Sequence, residues 1–172
     1  MSSQTEQGDR VESARHKHFL AAHAACHDQV YRYFRRRTEG VPAAEDLCAE
    51  VFRIAWEKSM DHELSVLMVF GIARNVLRNH YRSNLRSLHL TQQLEQRIPL
   101  RAPEDGPLAE ALERLKPEER EVLLLTYWDG FSSAEVAGLL GVTGTAVRMR
   151  LHRARKSLSQ LLRTDPAIED VQ

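Results

Sequence analysis

The residues best placed to do chemistry lie near the C-terminus. Thr145, Arg148, Met149, His152, Arg153 and Lys156 recur at helical spacing, and no Asp or Glu occurs between Glu135 and Asp165. At 100° per residue, Thr145, Met149, His152 and Lys156 fall opposite an apolar stripe of Val147, Leu151, Ala154, Leu158 and Leu161. Arg148 and Arg153 flank them. A basic face without carboxylates suits a phosphate backbone, and arginine can bond a base edge bidentately. Recognition of a polyanion is the chemistry these residue types offer; a helical hairpin with a solvated face is the competing reading.

Three other groups carry charge or ligands. Arg74, Arg78, Arg82 and Arg86 recur every four residues with Asn75, Asn79 and His80 beside them, and no acid lies between Glu63 and Glu95. Like charges at this spacing repel unless an anion meets them. Asp46, Glu50 and Arg53 share the polar side of a second helix. No glycine-rich phosphate loop, nucleophile motif or second carboxylate pair accompanies Asp46 and Glu50, so no enzyme is expected. His23, Cys26 and His27 sit within about one helical turn. Imidazole and thiolate bind zinc, which makes a metal or redox sensor an alternative reading. However, a structural zinc site wants four ligands, and His23 and Cys26 also fit a buried face. Neither a metal nor a cofactor is expected.

The elements that must position these residues all read as helices. Ser132 and Glu135 form an S-x-x-E capping box, Gly141 stops that helix, and Thr143 caps the next one. The result is a helix-turn-helix pattern, in which one helix face is buried and the other can enter a major groove. Upstream, Leu108, Leu112 and Leu115 form one stripe. Pro117, Glu118 and Glu119 open a helix whose Val122, Leu123, Leu125 and Thr126 point inward. The N-terminal half reads as three helices. The first runs from about His18 to Arg37, burying Phe19, Leu20, Ala22, His23, Val30, Tyr31 and Phe34, with Arg35, Arg36 and Arg37 at the negative end of its dipole. The second runs from about Ala43 to Glu57 on Leu47, Val51, Ile54 and Ala55. The third runs from about Leu64 to Arg86 on Val66, Val69, Phe70, Ala73, Val76, Leu77 and Tyr81.

The predicted class is all-α, with two small helical domains joined by a flexible linker. The predicted boundaries are a disordered tail over 1–16, a first domain over 17–87, a linker over 88–106, a second domain over 107–163 and a tail over 164–172. With 24 basic and 24 acidic side chains the net charge is zero, so any attraction for nucleic acid is local. Two cysteines make no disulfide framework. No apolar run is long enough for membrane insertion, and the polar N-terminus carries no secretory signal, so a cytoplasmic protein is expected.

In this order the motifs resemble those of bacterial RNA polymerase sigma factors, specifically the extracytoplasmic-function (ECF) group of the sigma-70 family. Ala44 to Trp56 resembles the polymerase-binding helix of sigma domain 2. Gly71 to Leu77 resembles the helix that reads and melts the −10 element. The stretch from Leu112 to Arg155 resembles domain 4, which reads the −35 element. The resemblance implies a protein that binds core RNA polymerase and promoter DNA and is often held inactive by an anti-sigma factor. It implies polymerase contacts from Asp46, Glu50, Arg53 and Trp56, −10 contacts from Arg74, Asn75, Arg78, Asn79 and Arg82, and −35 contacts from the six residues on the last helix. Two departures stand out. Met68 occupies a position where many relatives have Trp, and the loop Lys58 to Glu63 is short. A stand-alone helix-turn-helix regulator is the alternative the resemblance leaves. It would account for the C-terminal unit but not for the polymerase-binding motif.

Overall fold

Prolines, glycines and caps cut the chain into seven helices among the described residues, with no strand. They are α1 (Ser3–Arg35), α2 (Val41–Lys58), α3 (Val66–Ser87), α4 (Pro107–Glu113), α5 (Pro117–Leu123), α6 (Ser133–Leu140) and α7 (Gly144–Arg163). The computed structural model describes residues 3–60, 63–87 and 106–163, with side chains from Glu12 to Asn84 and from Gly106 to Arg163 within those spans. The expected linker, apart from Gly106, and the expected C-terminal tail lie outside the described residues. So do part of the loop between Lys58 and Glu63 and the side chain of Arg86.

The chain divides into two units, the first comprising Met1–Phe34 and Val41–His89, the second Arg35–Gly40 and Leu90–Gln172. In the first unit, α2 packs on α3. Its core is Cys26, Val30, Tyr33 and Phe34 of α1, Ala44, Cys48, Val51, Phe52 and Ala55 of α2, and Val69, Phe70, Ile72, Ala73, Val76 and Leu77 of α3. Tyr33 meets Phe70 edge-on at 5.7 Å and Phe19 meets Phe52 edge-on at 6.5 Å, so α1 touches both neighbours. Several expectations are corrected. Helix α1 begins at Ser3 rather than near His18, across most of the span expected as a disordered tail over 1–16, and Arg15 and His16 in that span contact Trp56 of α2. Leu20 is half exposed and Val66 is exposed: Leu20 lies about 80° around α1 from Val30, and Val66 sits on the first turn of α3. Pro42 falls within the first turn of α2, where its missing N–H costs no bond, so the helix starts before the expected Ala43.

In the second unit, α7 packs on α4, α5 and α6. Val122, Leu123, Leu124 and Leu125 are all buried, and four successive residues cover nearly the whole circumference of a helix. Their segment is therefore central and apolar all round. It leaves α-geometry at Leu124–Trp128, a wide π-type turn closed by Asp129 N–H to the Leu124 carbonyl at 2.9 Å. Leu112 and Leu115 are buried, but Leu108, expected on the same stripe, is exposed at the first turn of a seven-residue helix. Arg36 and Arg37 also belong to this unit. Both are buried and both pair with Asp129, and they lie beyond α1, which ends at Arg35 rather than near Arg37 as expected.

The caps are as read from the sequence. Ser132 accepts from Glu135 N–H at 3.3 Å while the Glu135 carboxylate accepts from Ser132 N–H at 2.8 Å. Gly141 holds φ 66°, a left-handed conformation that glycine adopts without a Cβ penalty. Thr143 accepts from Ala146 N–H at 3.1 Å. The packing of α7 gives the first expected outcome. Leu151→Ala, on its buried face, should lower stability by ~2–5 kcal/mol, whereas Met149→Ala, on its exposed face, should stay within ~0.5 kcal/mol. Urea unfolding followed by circular dichroism measures both; equal effects would mean that α7 is not rotated as described.

Candidate nucleic-acid interface

Three buried residues fix the rotation of α7: Val147, Leu151 and Ala154. Leu158 and Leu161, further along the predicted stripe, are half-buried. The six residues predicted on the opposite face, Thr145, Arg148, Met149, His152, Arg153 and Lys156, are all exposed. The structure therefore brings them together on one surface. Arg148 is ordered within it: its guanidinium donates to Thr145 Oγ1 at 3.1 Å and lies over Gly144, where an added Cβ would come within 3.6 Å of Nη1.

On α3, Asn75, Arg78, Asn79 and Arg82 are exposed, while Arg74 is half-buried. The reason is geometric. A spacing of four residues advances 400°, so an arginine repeated every fourth position drifts 40° per step. Arg74 lies at the end of that drift nearest the core face of Ala73 and Leu77. His80 bonds Asn84 at 3.1 Å and stands edge-on to Tyr81 at 5.8 Å, so the edge of this face is held in place.

On α2, Asp46 and Arg53 are exposed and Glu50 is half-buried. Arg53 grips Glu50 with two bonds, at 2.8 and 2.7 Å, and reaches Glu57 at 2.5 Å. These bonds hold the Glu50 carboxyl below the usual range, the Arg53 hydrogen bond being the main cause, and raise the Arg53 guanidinium. Glu57 was not singled out from sequence, although its i,i+4 spacing from Arg53 is the available signal. Trp56 does not join this group. It lies about 60° around α2 from Arg53 and is half-buried against α1. Phe19 meets it edge-on at 5.1 Å, His16 at 5.9 Å, and the Arg15 guanidinium lies 3.9 Å from its ring centroid. Arg15 also donates to the Trp56 carbonyl at 2.6 Å and to Ser59 Oγ at 2.9 Å, which places a cation at the C-terminal end of α2. Sequence reasoning missed Arg15; its position four residues before Phe19 was the signal.

His23, Cys26 and His27 occupy one side of α1, but they are spent on packing. His23 and His27 rings lie 4.7 Å apart and both contact Phe52, at 4.4 and 5.6 Å. Cys26 S–H donates to the Ala22 carbonyl at 3.0 Å. Burial pushes the Cys26 thiol up to about 11. Cys48 also rises to about 11, through burial first and then the neighbouring Cys26 and Asp28. Burial, with His27 alongside, lowers His23. Thiols held protonated are poor metal ligands and poor nucleophiles.

Comparison with known proteins places the second unit and the whole chain among sigma factors. A family profile described as Sigma-70, region 4 matches residues 106–158. The chain is 32% identical over 153 residues to the ECF RNA polymerase sigma factor BldN of Streptomyces coelicolor, covering 80% of this chain and 58% of that protein. It therefore spans less than two thirds of BldN's length. It is 30% identical over 169 residues to the RNA polymerase sigma factor CnrH of Cupriavidus metallidurans, covering 85% of each. A solved structure of CnrH in complex with the cytosolic domain of CnrY superimposes with a TM-score of 0.58 at 26% identity, covering 90% of both chains. RpoE of Bartonella quintana, solved with the anti-sigma factor NepR, shares the fold with a TM-score of 0.61 at 23% identity.

The thiol environment sets a second expected outcome. Because the folded-state values lie above the ordinary 9.0, the stability these thiols contribute is complete below pH 9 and is lost as pH rises toward 11. Cys26 and Cys48 should react with a small alkylating reagent at pH 8 far more slowly than free cysteine, with reactivity rising above pH 9. Mass spectrometry of timed samples measures this, and fast labelling of the folded chain at pH 8 would contradict it.

Proposed function

This chain belongs to the ECF group of the sigma-70 family of bacterial RNA polymerase sigma factors, and on that premise we propose that it binds core RNA polymerase and directs it to a specific class of promoters. It acts in the cytoplasm as a non-catalytic initiation factor. The first unit engages the polymerase through Asp46, Glu50 and Arg53, and the −10 element through Asn75, Arg78, Asn79 and Arg82, with Arg74 at the edge. The second unit engages the −35 element through α7. An anti-sigma factor holds the protein inactive until a signal releases it. A solved relative, CnrH, is itself complexed with the cytosolic domain of CnrY.

The observation that carries this reading is the face of α7. Five polar or basic side chains and the thioether of Met149 stand exposed on a helix whose other face is buried on three neighbours. Nothing in the packing requires that face to lack carboxylates; a DNA backbone does. The acid-rich face of α2 and the basic face of α3 have no role in a stand-alone helix-turn-helix regulator, whereas a sigma factor needs both.

Run-off transcription with core polymerase on a genomic promoter library is the direct test. Failure of the full chain to support transcription from any fragment would reject the reading. Replacing Asp46 and Glu50 together with Lys should abolish assembly with core polymerase and leave the helical content unchanged. Retained assembly would move the interface elsewhere. Arg148→Ala should change the −35 preference, losing ~1–3 kcal/mol at one base pair. Arg82→Ala should weaken all promoters alike and lower the salt slope by about one. Selection experiments at two salt concentrations separate these two behaviours.

A further inference from the structure

The second unit carries an exposed pair that the six-residue face of α7 does not include. Tyr127 is 54% exposed, unusually open for a tyrosine in a folded unit. Arg155 Nε donates to its hydroxyl at 2.7 Å, and the guanidinium carbon lies 5.5 Å from the ring centroid. Tyr127 projects from the π-type turn Leu124–Trp128, and such turns, which widen a helix at a cost in geometry, occur often at functional sites. Among the described residues, Arg155 has no carboxylate partner.

The placement of the pair gives it a meaning. Arg148 and Arg155 are seven residues apart, so they lie within about 20° of one another on the same edge of α7 and roughly 10 Å apart along it. Arg153 lies on the other edge. A helix seated in a major groove has a phosphate backbone on each side. The Arg155 hydrogen bond uses Nε, which leaves both terminal amino groups available as donors. The tyrosine hydroxyl accepts that bond and keeps its own proton to donate. The pair therefore offers a planar cation and a neutral donor side by side, a set that fits the oxygens of one phosphodiester.

We propose that Tyr127 and Arg155 form a phosphate-contact site that clamps one DNA strand beside α7. Arg155 supplies the charge, and Tyr127 orients the guanidinium and adds one hydrogen bond. This rests on reading α7 as the groove-seated helix of a sigma factor. The pair adds affinity for any duplex at this edge and no base preference.

The test uses holoenzyme assembled from core polymerase and the full chain, on promoter fragments that the wild-type holoenzyme selects. Arg155→Ala should lower the slope of log affinity against log salt by about one. A fourfold rise in salt should then weaken it roughly 3.5-fold less than the wild type, with the selected sequences unchanged. Arg155→Lys, which keeps the charge, should retain the wild-type slope. Tyr127→Phe should weaken binding on the wild-type background and weaken it less beside Arg155→Ala, where only its own hydrogen bond is left to lose. A wild-type slope in Arg155→Ala, or a changed base preference, would overturn the proposal while the sigma-factor reading stands. A wild-type holoenzyme that selects no promoter would overturn both.

Discussion

The burial of Val147, Leu151 and Ala154 is the constraint on which the second unit depends. Full burial of Val and Leu side chains contributes about 1.5–3 kcal/mol each, and these residues sit against α4, α5 and α6 at once. The exclusion on the other side is as important. Rotating α7 by one residue would turn a neighbouring arginine toward that apolar contact, and an unpaired buried charge costs more than the leucine gains. Apolar attraction and charge exclusion thus choose the same rotation. The functional face needs no bonds of its own to be presented; it is what remains when the helix packs in the one acceptable way.

The same logic orders the first unit with less symmetry. Helix α3 buries six residues and exposes Asn75, Arg78, Asn79 and Arg82 by default. Helix α2 differs, because its exposed side is held by its own side chains. Arg53 spans Glu50 and Glu57, so two carboxylates flank one guanidinium, and Asp46 adds a third acid to the same helix. Exposed pairs of this kind contribute little to stability, typically below ~1 kcal/mol, so their effect is on the shape and sign of the surface. An excess of carboxylate on a firm helix suits a basic protein partner and repels DNA. The two binding tasks proposed for this unit are therefore separated by charge on adjacent helices.

Local grammar was readable in the residues and distant contacts were not. The capping box at Ser132 and Glu135, the glycine stop at Gly141 and the exposed set on α7 follow from spacing within one or two turns, and each is where the sequence put it. The covering of Trp56 by Arg15 spans 41 residues, and the bond from Arg155 to Tyr127 spans 28. Periodicity says which face of a helix is apolar, not which residue will lie across its edge. That is why Trp56 looked available from its own helix and is half-buried in the fold. Leu20, Val66 and Leu108 failed for a related reason. A stripe predicts burial only where a neighbour extends far enough to cover it, and terminal turns and stripe edges outrun their neighbours. The π-type turn was invisible because Leu, Thr, Tyr and Trp have no local signature for a five-residue bond. Likewise His23, Cys26 and His27 fit ligand spacing and core spacing equally well, and only the ring of Phe52 and the carbonyl of Ala22 decide between them.

A net charge of zero gives no global attraction for a polyanion, but charge acts over a short range here. At physiological ionic strength the Debye length is about 8 Å, so a phosphate responds to the face it touches and not to the sum over the chain. What matters is where the acids are kept. Glu135, the last acid before α7, is committed to the capping box: bonds from the Ser132 hydroxyl and backbone hold its carboxyl below the usual range. Glu118 and Glu119 sit in the first turn of α5, where the helix dipole favours them. Asp129 is buried with Arg36 and Arg37. Each of these carboxylates has local work in starting a helix or pairing inside the fold, and none stands on the exposed face of α7. Among the described residues, these acids and those of α2 are kept off the exposed face of α7, which leaves that basic face unopposed where a phosphate would meet it.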